Sequence, residues 1–127
     1  MPSMQRKKYT VNVTPRAAAD LERLTDWWLL EKENPLIAKS IHDSFWDKAL
    51  TLEDRAYLYR VPWDTHPQLA DLDYHLFTFN PKYHAVMLYR IDEATNTVHV
   101  QFVCDSRENK ILTEMIDIAK KMNLLNL

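Results

Sequence analysis

The 127-residue sequence contains no glycine, where average usage of about 7% would place about nine in a chain of this length. That absence excludes phosphate-cradling P-loops, dinucleotide-binding glycine fingerprints and the glycine-built nucleophile elbow. The common forms of nucleotide-dependent chemistry go with them, and tight turns fall to Asn, Asp and Pro. The single cysteine, Cys104, excludes an internal disulfide and a multi-cysteine metal site. No apolar run approaches the ~18 residues of a membrane span. The opening MPSMQRKKYT lacks the apolar core of a signal peptide, so a soluble, cytoplasmic protein with no membrane partner is expected. Neither sign of charge dominates, with 16 Lys and Arg against 18 Asp and Glu. The chain therefore has no global attraction to nucleic acid, although local patches are compatible with it.

What is present suits one folded domain over residues 1–127. Apolar residues make up 46% of the chain and include four Trp, six Tyr and four Phe, enough material to offset the ordering entropy. The expected class is α+β. KYTVNVT alternates Tyr9, Val11 and Val13 with polar residues, the period of a half-buried strand. Thr14 and Pro15 then give a cap and a first helical residue, followed by Ala17, Leu21, Leu24 and Trp28 at helical spacing. Asn34 and Pro35 repeat the signal ahead of a second stripe, Ile37, Ile41, Phe45, Lys48 and Leu52. The tight connection implies an antiparallel helical hairpin. Residues 60–72 read as a loop. Three strands then follow as an antiparallel meander, turning at Asn80-Pro81 and near Asn96. A C-terminal helix is expected from Leu112, Met115, Ile116 and Ala119, with Asp105 and Glu108 at capping-box spacing.

If Phe79 faces His84 across the first hairpin and Ile91 faces Val98 across the second, Ala85, Met87, Tyr89, Ile91, Val98, Val100, Phe102 and Cys104 share the core face. A one-residue slip would reverse these assignments. The other face then gathers His75, Arg90 and His99 as candidate binding residues; the same pattern also fits sheet edges that simply meet water. This register sets His84 beside Asp105. Such a pair suits a general acid or a phosphate-binding cation, and equally a plain surface ion pair. No His-x-x-x-His spacing exists, so no metal site and no cofactor are expected. Cys104, inside an apolar alternation, reads as a small core residue. Trp27 and Trp28 point about 100° apart on a helix; one lies at an edge, either covering the neighbouring helix or meeting a partner.

The order of elements, together with PRAAADLERL in the first helix and YHAVMLYRIDEATNTVHVQFVCDSRE in the central hairpin, resembles the RelE/ParE superfamily of toxins from type II toxin–antitoxin and plasmid-stabilization modules. The resemblance runs from Tyr9 to about Met122. It implies a toxin bound by a cognate antitoxin. One branch cleaves ribosome-bound mRNA as a metal-independent endoribonuclease; a second inhibits DNA gyrase by binding; a non-toxic binding module on the same fold is a third reading. For the first, the resemblance singles out Arg107, and His84, Lys82 and Asp105 complete the candidate catalytic set. The sequence departs from that branch at Val86, where an arginine is frequent, and in the absence of a tyrosine from the last helix.

Overall fold

A computed structural model of the chain describes residues 8–57, 59, 73–108, 113, 114, 117, 118, 120 and 121. The first strand, β1, is Thr10–Val13, and helix α1 spans Pro15–Asp26. Thr14 Oγ1 accepts the Ala17 N–H at 3.2 Å, which satisfies one of the unpaired donors at the helix start. The helix then widens into one π-helical turn, Trp27–Glu31, closed by Lys32 N–H donating to the Trp27 carbonyl at 3.2 Å. Glu33 takes a left-handed φ of 47° at the reversal. Asn34 Oδ1 then caps α2, Pro35–Leu50, by accepting the Ile37 N–H at 3.1 Å. A short α3, Leu52–Arg55, follows.

Ala38, Ile41, Phe45, Ala49 and Leu52 are buried, so the second stripe runs through Ala49. Lys48, expected within it, is exposed. The Phe45 ring meets Phe79 edge-on at 5.4 Å; buried Asn80 donates to Ser44 Oγ at 3.1 Å. These contacts fasten α2 to the sheet.

The sheet comprises β1, β2 (His75–Asn80), β3 (Ala85–Asp92) and β4 (Thr97–Asp105) in the order β1-β4-β3-β2. Strands β2, β3 and β4 pair antiparallel in sequence, while β1 adds alongside β4 in parallel. The sheet is therefore mixed rather than antiparallel alone. With no glycine, left-handed backbone falls to side chains that tolerate it: Asp73, His84 and Asn96 have φ of 60°, 57° and 52°, and short polar side chains pay the smallest steric cost there. The expected loop over 60–72 lies outside the described residues, as do Leu112, Met115, Ile116 and Ala119. Residues 113, 114, 117, 118, 120 and 121 are helical.

Two irregularities correct the expected register. Phe79 opposite His84 would set Tyr74 opposite Tyr89; instead His75 pairs with Tyr89, and a bulge lies between Thr78 and Asn80. Along the second hairpin Ile91 pairs with Val98 and Tyr89 with Val100 as expected, but a bulge then brings Leu88 opposite Phe102. Gln101 is the extra residue. Beyond it every side chain of β4 changes face. Val103 joins the core beneath the helices with Phe77, Met87, Tyr89 and Val100. Phe102 and Cys104 turn to the other face, where Val86 and Leu88 are also buried.

Candidate functional site

The bulge in β4 decides the site. It pairs Asp105 with Ala85, so the expected pairing of Asp105 with His84 does not form. His84 contributes its carbonyl instead, accepting the Ser106 N–H at 2.7 Å. The Asp105 carboxylate turns toward its own chain. Oδ1 accepts the Arg107 backbone N–H at 2.8 Å and Nε at 3.1 Å, and Oδ2 accepts an Arg107 terminal nitrogen at 2.7 Å. This is an Asx turn closed by a bidentate ion pair. Glu108 N–H bonds to the Asp105 carbonyl at 3.0 Å, so the expected capping box gives way to this turn.

Burial pushes the Asp105 carboxyl up, but the guanidinium and backbone N–H of Arg107, with His84 adding its charge, bring it below the usual value. Arg107 in turn is raised, first by its bond to Asp105. Its side chain remains 57% exposed. The clasp uses two of the five guanidinium donors, leaving the others for an anionic or carbonyl group outside the chain.

A second aspartate–arginine cluster faces the clasp. Asp20, buried on α1, accepts Arg16 Nε at 2.8 Å and an Arg23 terminal nitrogen at 2.5 Å, and its other oxygen accepts the Val103 N–H at 3.2 Å. Strand β1 pairs with β4 only as far as Val100. Past that point Thr14 N–H reaches the Val100 carbonyl at 3.0 Å, and Asp20 supplies the acceptor that a longer strand would have offered Val103. Between the clusters lies a cleft of about 110 Å³ lined by Asp20, Arg23, Trp27, Val103, Asp105 and Glu108. Asp20 was not among the residues singled out from sequence. Its only signal was an acidic side chain at position i+3 from Ala17 and adjoining Leu21 on the buried face.

The adjacent tryptophans part as helical geometry requires. Trp28 packs edge-on against Tyr83 at 5.6 Å, while Trp27 is 42% exposed at the cleft. Lys32 Nζ stands 5.1 Å from the Trp27 ring. Lys82 lies on the single 3-10 turn Pro81–Tyr83, its ammonium 5.6 Å from the Tyr83 ring. Lys82, His84, Asp105, Arg107 and Trp27 thus belong to one end of the molecule.

The remaining candidates lie elsewhere. Arg90 and His99 are cross-strand partners, but Asp105 lies six residue steps along β4 from His99, about 20 Å of strand. His75 does not join them. Its register shift turns the ring toward Tyr89, on which it stacks at 5.0 Å, and Nδ1–H donates to the Tyr59 carbonyl at 2.6 Å. The Cys104 thiol is buried, and burial, with Asp20 nearby, pushes it up to about 12. Such burial and a raised thiol are the setting of a structural rather than a reactive cysteine. Among the described residues no group of three or more His, Cys, Asp or Glu is placed to hold a metal ion, and no helix is long and apolar enough to cross a membrane.

No protein-family model and no curated protein matches the chain. A solved structure does: a chain of the chromosomal ParDE TA system from P. aeruginosa superposes with a TM-score of 0.60 and 14% sequence identity, covering 78% of this chain and 97% of that one. The chain shares its α+β fold with that structure. Within this chain the Asp105–Arg107 clasp follows β4 immediately, and Val86 on β3 is buried.

Proposed function

We propose that the chain is the toxin of a type II toxin–antitoxin pair, a single domain over 1–127 that acts in the cytoplasm and is held inactive by a cognate antitoxin. The observation that carries this reading is the similarity in fold to a ParDE structure across nearly all of that chain's length. Of the two toxic mechanisms, the geometry favours inhibition by binding, as in ParE-like gyrase inhibitors. A metal-free ribonuclease needs a base for the ribose 2′-hydroxyl, a cation for the developing phosphorane and an acid for the leaving oxygen. Here the carboxylate that would orient His84 is engaged by Arg107. The same contact pre-orients Arg107 as an exposed cation, and the exposed Trp27 lines the cleft that Asp105 also lines, a combination suited to a protein surface.

The RelE-like reading draws on Lys82, His84 and Arg107 standing at one end of the sheet, and a non-toxic binding module would use the same surfaces. Induced expression in a permissive bacterial host is expected to arrest growth. Purified protein is then expected to inhibit gyrase supercoiling and to leave mRNA intact in a translating ribosome system. Unchanged growth would reject the toxin reading, and cleavage in the A-site codon would replace the binding mechanism with the ribonuclease one.

A further inference from the structure

Helix α2 is apolar on two sides. Ala38, Ile41, Phe45 and Ala49 are buried, on the side that meets α1 and β2. Leu36 and Leu50 are 80% and 58% exposed, and Trp46 is exposed with them. At 100° per residue these three, together with Lys39 and Asp43, fall within about 80° of one another, about 140° around the helix from the buried stripe. Their spacing alternates steps of three and four residues, the repeat by which one helix lays a seam along a second. An exposed leucine by itself needs no explanation. Large apolar side chains at both ends of one outward seam, over four turns of helix, form a surface of the kind that packs against a partner.

The middle of the seam is charged. Lys39 Nζ donates to Asp43 Oδ2 at 2.6 Å, and both side chains remain exposed. His42 Nδ1 lies 3.3 Å from the other Asp43 oxygen. The ion pair uses one of three ammonium donors, and each carboxylate oxygen has a further lone pair. The order along the seam is thus apolar, positive, negative, apolar, a pattern complementary to itself when reversed. A two-fold axis at the level of Ile41 sets residue 36 against 46 and residue 39 against 43, so each Leu36 meets the Trp46 of a second copy and each Lys39 its Asp43. A parallel pairing would set lysine on lysine and aspartate on aspartate, which is unfavourable.

We propose that α2 is the contact surface of a two-fold homodimer, in which two copies of the chain pack their α2 helices antiparallel along Leu36, Lys39, Asp43, Trp46 and Leu50. Trp46 is the anchor, its ring held edge-on against Phe45 at 5.0 Å and its outer face open to the partner's leucine. The central charges select direction and register more than they add affinity. Helix α2 has 16 residues, about 24 Å of contact length, so the interface is at the small end of specific ones and the dimer is a micromolar, exchanging one. The surface shares no residue with the cleft beside the Arg107 clasp and does not depend on the toxin reading.

Sedimentation velocity of the full chain over a concentration series tests the dimer, with a reversible shift from monomer to dimer expected. Leu36→Glu, at a site already in water, is expected to weaken association at least roughly tenfold, with an unchanged thermal midpoint as the control for folding. Lys39→Glu and Asp43→Lys are each expected to weaken it comparably, because like charges then meet at the centre. An equimolar mixture of those two variants is expected to regain association, since every 39–43 contact between the chains is then attractive. Orientation is read by oxidative crosslinking, the native Cys104 being buried: Leu36→Cys is expected to join to Trp46→Cys and not to itself. A chain that stays monomeric up to ~1 mM would overturn the dimer and leave the seam to a different protein. Variants that associate like the unmodified chain, or a crosslink of Leu36→Cys to its own copy, would also overturn it.

Discussion

Replacing Asp20 with alanine removes the acceptor that joins α1 to the free edge of β4. The side chain is almost wholly buried, but its two arginine partners are not: Arg16 and Arg23 are 39% and 58% exposed. Once released, both guanidiniums regain water, so each pair contributes at the level of a surface salt bridge, up to about 1 kcal/mol. The Val103 N–H has no such recourse. It is buried beyond the reach of β1, and leaving it without an acceptor costs about 1–3 kcal/mol. The sum is about 3 kcal/mol, which for a chain of this size lowers Tm by roughly 10 °C. Asp20→Asn retains an oxygen for Val103 and loses only the charge, so it should cost about 1 kcal/mol. Urea unfolding of the two variants measures both losses, and amide hydrogen exchange reads the Val103 N–H directly. Exchange should accelerate in the alanine variant and stay slow in the asparagine variant. Equal destabilisation by the two substitutions, with Val103 protection unchanged in both, would refute the assignment of Asp20 as a stand-in for a missing strand.

Acid stability should report the Asp105 clasp. The folded carboxyl lies below its ordinary value of 3.8, so the stability it contributes is complete above that pH and is lost as pH falls through the lower folded value. Asp105→Asn is therefore expected to flatten the decline of ΔG in urea titrations below about pH 4, and a decline identical to that of the unmodified chain would count against the clasp. At the alkaline side, the hydrogen bonds to Glu93 raise the phenols of Tyr57 and Tyr9 above their ordinary value of 10.0. The corresponding stability is present below that value and is lost as pH rises through the raised folded ones. Glu93→Gln should return part of the phenolate absorbance transition toward 10.0, and an unaltered titration curve would remove Glu93 as its cause.

Interactions set within a few residues were legible from the order of amino acids alone. The Thr14-Pro15 and Asn34-Pro35 signals start the two long helices where expected because an N-cap and a first-turn proline act within a single helical turn. Alternation located the strands, since exposure on one face and burial on the other repeats every second residue. The absence of glycine marked Asn80-Pro81 and the region of Asn96 as turns, and it excluded whole classes of phosphate chemistry.

Pairing between distant residues was decided only by the tertiary structure. A bulge of one residue at Gln101 carries no local mark, yet it exchanges the faces of Phe102 and Val103, parts Asp105 from His84 and frees the carboxylate for Arg107. A one-residue difference in the first hairpin likewise moves His75 from the outer face to the Tyr89 stack. Asp20 reads as an ordinary helix residue until β1 proves too short to cover β4. Sequence therefore determined which polar residues were available, whereas strand register, set by how whole faces bury against the helices, divided them between two ends of the sheet: the Asp105–Arg107 clasp at one and the cross-strand row of Asn12, His99 and Arg90 at the other.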